Sequence, residues 1–226
     1  GIIDSGLGGL AIARAIWRRL PHESTIYLAD HAFFPYGAKT AKAINSRLPD
    51  LIDWLIKKQV KAVVIACNTI TTAAIKSLRR HYPLPFIGTE PAVKHGGLVL
   101  ATPATVKSHH YRSLSKKYPV TTMACPGLAE AIESGGKIDA FLPQLPKNTR
   151  IIVLGCTHYI LVKEQIQNLV GPKIKIIEPS RAIARQTAAV LTERQLLNPG
   201  GKPKRSFYTT GPGRRARGII FTKCSL

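Results

Sequence analysis

Two short segments of the chain repeat one pattern: Val63-Val64-Ile65-Ala66-Cys67-Asn68-Thr69 and Ile152-Val153-Leu154-Gly155-Cys156-Thr157-His158. Each is an apolar run, a small residue, a cysteine and two polar side chains able to cap a helix. Each therefore predicts a strand that delivers a thiol to its carboxyl end. The amides of the following helix favour an anion there, which predicts thiols more acidic than the usual ~8.5 and usable as bases or nucleophiles. One buried cysteine at a strand end is commonly a small core residue. Two with matched followers point instead to a pair of thiols facing one site.

The elements that must position them alternate along the chain. Gly1-Ile2-Ile3-Asp4 reads as a buried strand and Ser5-Gly6-Leu7-Gly8-Gly9 as the turn into a helix that Pro21 stops. Residues 25–29 and 62–66 predict further strands, separated by a helix over 41–58 that Pro49 kinks or splits. Short strands follow at 86–87, 98–100, 120–123 and 174–177, with helices over 106–117, 127–134 and 181–197. Pro143 and Pro146 make 137–150 a loop. This alternation predicts the α/β class, with mostly parallel sheets whose ligands bind beyond the carboxyl ends of the strands. Asp4, Cys67 and Cys156 all fall at such ends, and the internal repeat favours two similar domains over one.

The 226 residues include four cysteines without a C-x-x-C pair. There is no secretory leader and no apolar run of about 18 residues, so the chain reads as soluble and cytoplasmic, with reduced thiols and no membrane contact. Among seven histidines only His109 and His110 are neighbours, which is not the spacing of a helical ligand pair, and no metal is expected. The net charge of +21 suits anionic partners, whether nucleic acid, an anionic membrane surface or small acidic substrates, and equally a solvated basic surface. From residue 200 onward seven basic residues stand among glycines and prolines with no acid, which predicts an extended or mobile basic tail over 211–226.

Gly6-Leu7-Gly8-Gly9-Leu10-Ala11 also fits the G-x-G-x-x-G/A fingerprint of a dinucleotide site, with Asp30 24 residues beyond Gly6 at a strand end. A Rossmann-type oxidoreductase is therefore an alternative. It leaves the two cysteine segments without a role.

Asp4-Ser5-Gly6, Pro35-Tyr36-Gly37, Cys67-Asn68-Thr69 and Cys156-Thr157-His158, in that order, together resemble the glutamate racemases, the cofactor-independent enzymes that supply D-glutamate for peptidoglycan. Gly155-Cys156-Thr157-His158-Tyr159 and the amino-terminal glycine turn are the most specific parts of the likeness. The segments from Ala101 to Ser108 and from Phe207 to Gly211 belong to it as well. Aspartate racemases usually carry an acidic residue where His158 stands, so the histidine favours glutamate, with aspartate or another amino acid as the nearest rival substrate.

The resemblance implies a division of labour. Inverting an α-carbon requires removing a proton from one face and returning one to the other, so two acid/base groups must flank it. Cys67 would take the proton from D-glutamate and Cys156 from L-glutamate, with Asp4 and His158 tuning them and Glu133 matching a family glutamate near the second thiol. Substrate contacts implied in the same way are Asp4, Ser5, Tyr36, Gly37, Asn68, Thr69, Thr105, Thr157 and His158. No lysine context marks a Schiff base, so no cofactor is expected.

The resemblance also places the active site between two α/β domains, residues 1–94 plus 179–210 and residues 95–178. A homodimer is compatible with this layout. The segments around 90–98 and 135–150 are shorter than in the family, and Ile160 replaces a usual proline. A protein that binds nucleic acid on the same scaffold is the rival from another class, although no base-reading motif is present.

Overall fold

The computed structural model describes residues 1–142 and 144–226, and its strands form two separate sheets. In chain order the strands are β1 (Ile2–Asp4), β2 (Thr25–Ala29), β3 (Val63–Ile65), β4 (Phe86–Gly88), β5 (Gly97–Ala101), β6 (Val120–Ala124), β7 (Ile151–Gly155), β8 (Lys175–Ile177), β9 (Arg205–Thr209), β10 (Arg214–Ala216) and β11 (Ile219–Lys223). Seven of them form the first sheet in the order β10-β11-β9-β2-β1-β3-β4, and four form the second in the order β6-β5-β7-β8. The described pairings are parallel except that of β10 with β11. The α/β class with two mostly parallel sheets, expected from the alternating pattern, is the one the chain adopts.

Both faces of the first sheet are covered, which explains its unbroken apolar runs. Ile2 and Val64 pack on one face with Leu10, Ile12 and Ile16 of helix Leu10–Arg19 and Ile183 and Leu191 of helix Ser180–Glu193. Ile3, Val63 and Ile65 pack on the other with helices Ala41–Lys57 and Asn68–His81. Helix Ser180–Glu193 therefore returns to the first sheet after the chain has built the second. Around the second sheet, Leu98, Leu100, Ile152 and Leu154 face Leu128, Ile132 and Tyr159, while Val99 and Val153 face Tyr111. We refer to the layers around each sheet as the first and second lobes.

Several local expectations change. Helix Ala41–Lys57 runs as one span through Pro49, because Leu48, Leu51 and Ile52 on both sides of the proline are buried against the sheet. The helix expected over 106–117 is two, Pro103–Lys107 and His109–Ser115, divided at Ser108. The Ser108 hydroxyl donates to the Thr105 carbonyl at 2.8 Å and accepts from the Tyr111 amide at 3.1 Å, so one side chain ends the first helix and caps the second. The last helix stops at Glu193. In the short 90–98 link, Gly96 and Gly97 both have positive φ and turn the chain into β5. Within 137–150 a single turn, Asp139–Phe141, is regular, and Pro143 lies outside the described residues.

The basic tail is corrected most. Residues 214–223 form a hairpin turned at Arg217 and Gly218, both with positive φ, and β11 joins the sheet beside β9. Phe221 is 1% exposed, with its ring 6.0 Å from Tyr27 and 5.8 Å from Phe207. Basic composition hid the Ile219-Ile220-Phe221 run, whose burial of one large aromatic orders the segment.

Candidate active site

Both thiols sit at the junction the sequence pattern predicts. Cys67 follows β3 and is the N-cap of helix Asn68–His81, and Cys156 follows β7 and is the N-cap of helix Thr157–Leu161. One belongs to each lobe. They are only 5% and 6% exposed, so the lobes are closed over them.

Asp4, at the end of β1, is fully buried and reaches across the lobes. Its Oδ1 accepts from the Thr157 hydroxyl at 3.0 Å and its Oδ2 from the Gly6 amide at 3.2 Å. His158 stands between a thiol and a carboxylate, with Nδ1 3.9 Å from Cys156 Sγ and Nε2 2.9 Å from Glu133 Oε2. Glu133, on helix Leu128–Ser134, also accepts from the Leu7 amide at 2.9 Å and from His31 Nε2 at 2.8 Å, and Arg214 lies 3.4 Å from its Oε1. The glycine turn is clamped against these groups. A β-carbon on Gly8 would come within 2.6 Å of the His158 amide, His158 Nδ1 and Thr157 Oγ1, so this turn packs on the second lobe. Asp30 is likewise committed, accepting from Arg47 at 2.7 and 3.0 Å, from the Tyr36 hydroxyl at 2.6 Å and from Thr210 at 2.6 Å. Neither feature is free to serve a dinucleotide.

The electrostatics correct one expectation. Burial, and then the Asp4 charge, push the Cys67 thiol well above its ordinary value, against the opposing pull of the Ile70 amide and the Ser5 hydroxyl. Loss of water outweighs the helix terminus, and Cys67 is a neutral thiol in this closed form. Burial likewise pushes Asp4 up, more than His158 and its hydrogen bonds bring it down. For His158, burial acts downward, but Cys156 and Glu133 outweigh it and raise the imidazole from 6.5 to about 10. Burial alone would raise Glu133, yet hydrogen bonds from His158 and His31 hold it well below its ordinary 4.5.

These shifts set a pH window for stability. His158 adds stability that is complete below about pH 6.5 and is lost as pH rises toward 10. Glu133 adds stability that is complete above about pH 4.5 and is lost as pH falls through its depressed value. Both contributions are therefore full between those limits. Urea denaturation of the native protein and of Glu133→Gln should show the widest stability gap near pH 5.5, narrowing toward pH 9.5. A gap that widens with pH would contradict the ion pair.

The remaining residues divide into two groups. Thr69 and Thr105, from opposite lobes, meet at 3.2 Å, and Thr102 lies 2.9 Å from Thr69 and 3.0 Å from Thr105. Asn68 donates to the Thr89 carbonyl at 3.2 Å, and its buried Oδ1 has no partner among the described residues. Ser5 is buried beside Cys67, and Gly37 lies against Thr102. Tyr36 does not point its hydroxyl to this group, since it is held by Asp30. A cavity of about 270 Å³ is lined by Gly37, Thr69, Pro103, Ala104 and Lys107, so of the three threonines it reaches Thr69. A larger one, about 550 Å³, lies at the far end of the first sheet around Ile2, Lys61 and Ser206 and touches none of the expected site residues. His31, Thr102, Thr209 and Arg214 were not legible as site residues, because their roles exist only through contacts between distant segments. Among the described residues, no group of three or more His, Cys, Asp or Glu side chains is placed to hold a metal, and no helix is long and apolar enough to cross a membrane.

Comparison with known proteins decides the family. The model of the Asp/Glu/hydantoin racemase family matches residues 10–187. A glutamate racemase of Stutzerimonas stutzeri is 39% identical, over 96% of this chain and 90% of its own length. The chain belongs to the glutamate racemases of this family. The resemblance drawn from the sequence motifs is thus borne out. Among solved structures, a glutamate racemase from Bacillus anthracis superposes on this glutamate racemase family member with a TM-score of 0.85 at 28% identity, covering 100% of this chain and 96% of that one. The glutamate racemase of Francisella tularensis, solved in complex with D-glutamate, gives 0.79 at 31% identity, covering 94% and 88%.

Proposed function

We propose that this glutamate racemase family member interconverts L- and D-glutamate, supplying the D-enantiomer for peptidoglycan in the cytoplasm, by proton transfer between two thiols and without a cofactor. The observation that carries the reading is the pair of buried cysteines, one at the carboxyl end of a strand in each lobe, brought to one closed interface. Cys156 takes the α-proton of L-glutamate while Cys67, a neutral thiol in the closed form, gives its proton to the opposite face. In the reverse direction the roles exchange.

The rest of the site serves the carbanion and the two carboxylates. His158, held positive by Glu133, has Nδ1 3.9 Å from the Cys156 sulfur, within reach of the thiol that acts as the base toward L-glutamate. Asp4 lies beside Cys67 and disfavours its thiolate, which suits a proton donor. The unpaired Oδ1 of Asn68 suits an amine donor, and the hydroxyls of Ser5, Thr69 and Thr105 with the amides at the starts of the two helices suit carboxylates, while the Thr157 hydroxyl is held by Asp4. Such donors stabilise the charge that develops on the carboxylate when the α-proton leaves. The test is loss of circular dichroism from L-glutamate, with L-aspartate in parallel and the protein dialysed against chelator. Loss with glutamate alone is expected. Turnover of aspartate but not glutamate, or activity that returns only with added pyridoxal phosphate, contradicts the reading.

A further inference from the structure

Glu133 lies on the second lobe, yet three of its four contacts come from the first. These are the Leu7 amide, His31 Nε2 and the Arg214 guanidinium; His158 alone is on its own lobe. His31 is the group among them whose geometry continues beyond the carboxylate. It lies in the turn His31–Phe33 after β2, and its Nδ1 is 2.8 Å from the hydroxyl of Thr209, which is fully buried on β9. The Gly211 amide donates to the same Thr209 oxygen at 3.1 Å, so this hydroxyl is itself anchored where it meets Nδ1. Because a carboxylate can only accept, the 2.8 Å contact at the other ring nitrogen is an Nε2–H donating to Glu133. An unbroken path then runs Thr209, His31, Glu133, His158, Cys156, with successive separations of 2.8, 2.8, 2.9 and 3.9 Å.

We propose that His31 is a positioning residue for the Cys156 half of the reaction: from the opposite lobe, it holds the Glu133 carboxylate against His158 and thereby fixes the imidazole beside the thiol. The proposal rests on the two-thiol reading of the site. A carboxylate has two oxygens, and here each is assigned: Oε2 to His158 and the Leu7 amide, Oε1 to His31 and Arg214. Without His31, Oε1 keeps only the longer Arg214 contact, so the carboxylate is held less firmly and the imidazole's acceptor is less fixed. The Arg214 contact is longer and its side chain more exposed, so it is the weaker of the two holds on Oε1. Because His31 and Glu133 sit on different lobes, the path is complete only when the lobes are together.

The test separates positioning from bulk structure. His31→Phe keeps a ring in contact with Phe221, whose centroid lies 6.2 Å away, but removes both nitrogens. His31→Gln keeps an N–H donor near the Nε2 position. The enantiomers have an equilibrium constant of one, so kcat/KM must fall equally in both directions, and His31→Phe is expected to lower it at least ~10-fold. The isotope effects should nevertheless diverge. With α-deuterated L-glutamate, whose deuteron Cys156 removes, the effect on kcat/KM should grow; with α-deuterated D-glutamate, whose deuteron Cys67 removes, it should shrink. His31→Gln should restore most of the rate. Thr209→Val, which removes only the hydroxyl that holds Nδ1, should move both isotope effects in the same senses by less, and it serves if the Phe variant does not fold. A rate within twofold of native, or a fall with both isotope effects unchanged, overturns the role of His31 alone. A native protein that does not racemise glutamate overturns the underlying reading instead.

Discussion

Replacing either Cys67 or Cys156 by alanine is expected to lower racemisation by at least ~10²-fold, the low end of what a positioned acid or base contributes. The loss should appear in both directions. A proton removed by one thiol must be replaced by the other, so a site with one thiol can open the C–H bond from one face but cannot finish the inversion. Glu133, His158 and Asp4 remain in each variant, and so do the donors for the carboxylates. Circular dichroism of folded variants at saturating L- and D-glutamate measures the effect. If either alanine variant runs near the native rate, the matched strand-to-helix junctions are structural.

Gly8→Ala should be nearly as damaging, although the residue carries no functional group. Its β-carbon would fall 2.6 Å from the His158 amide, His158 Nδ1 and Thr157 Oγ1 at once. One of these atoms is backbone, and the others belong to the side chain beside Cys156 and to the hydroxyl that binds Asp4. Relief requires the lobes to part. Displacements of about 1 Å between reacting groups can cost ~10²-fold, and a loss approaching that size is expected in kcat/KM. The measurement is steady-state kinetics beside a urea denaturation curve. Native-like kinetics would mean that the closed packing of the glycine turn on the second lobe is not the reactive arrangement.

The sequence was most informative where local chemistry decides the structure. The apolar runs before Cys67 and Cys156 had to be buried strands, and the Asn-Thr and Thr-His pairs after them had to start helices. The same logic held for Asp4 before the glycine turn. It failed where distant segments meet. His31 looks like a polar residue in a loop until β9 supplies Thr209 and the second lobe supplies Glu133. Arg214 reads as one charge of a basic tail, yet it lies over the same carboxylate. The thiol of Cys67 departs from the sequence pattern for a related reason: the helix terminus is visible in the sequence, whereas burial beside Asp4 is not. The hairpin at Arg217-Gly218 did leave a signal, in a glycine followed by Ile219-Ile220-Phe221, but composition masked it.

Racemisation of L-glutamate in heavy water tests the two-thiol account most directly. Each thiol exchanges its proton with solvent, so D-glutamate formed in the first few per cent of reaction should carry deuterium at the α-carbon, while unreacted L-glutamate remains largely protiated. Mass spectrometry of the separated enantiomers reads this. Early D-glutamate that retains its original hydrogen would mean that one base carries the proton from face to face, and the account built on Cys67 and Cys156 would be wrong.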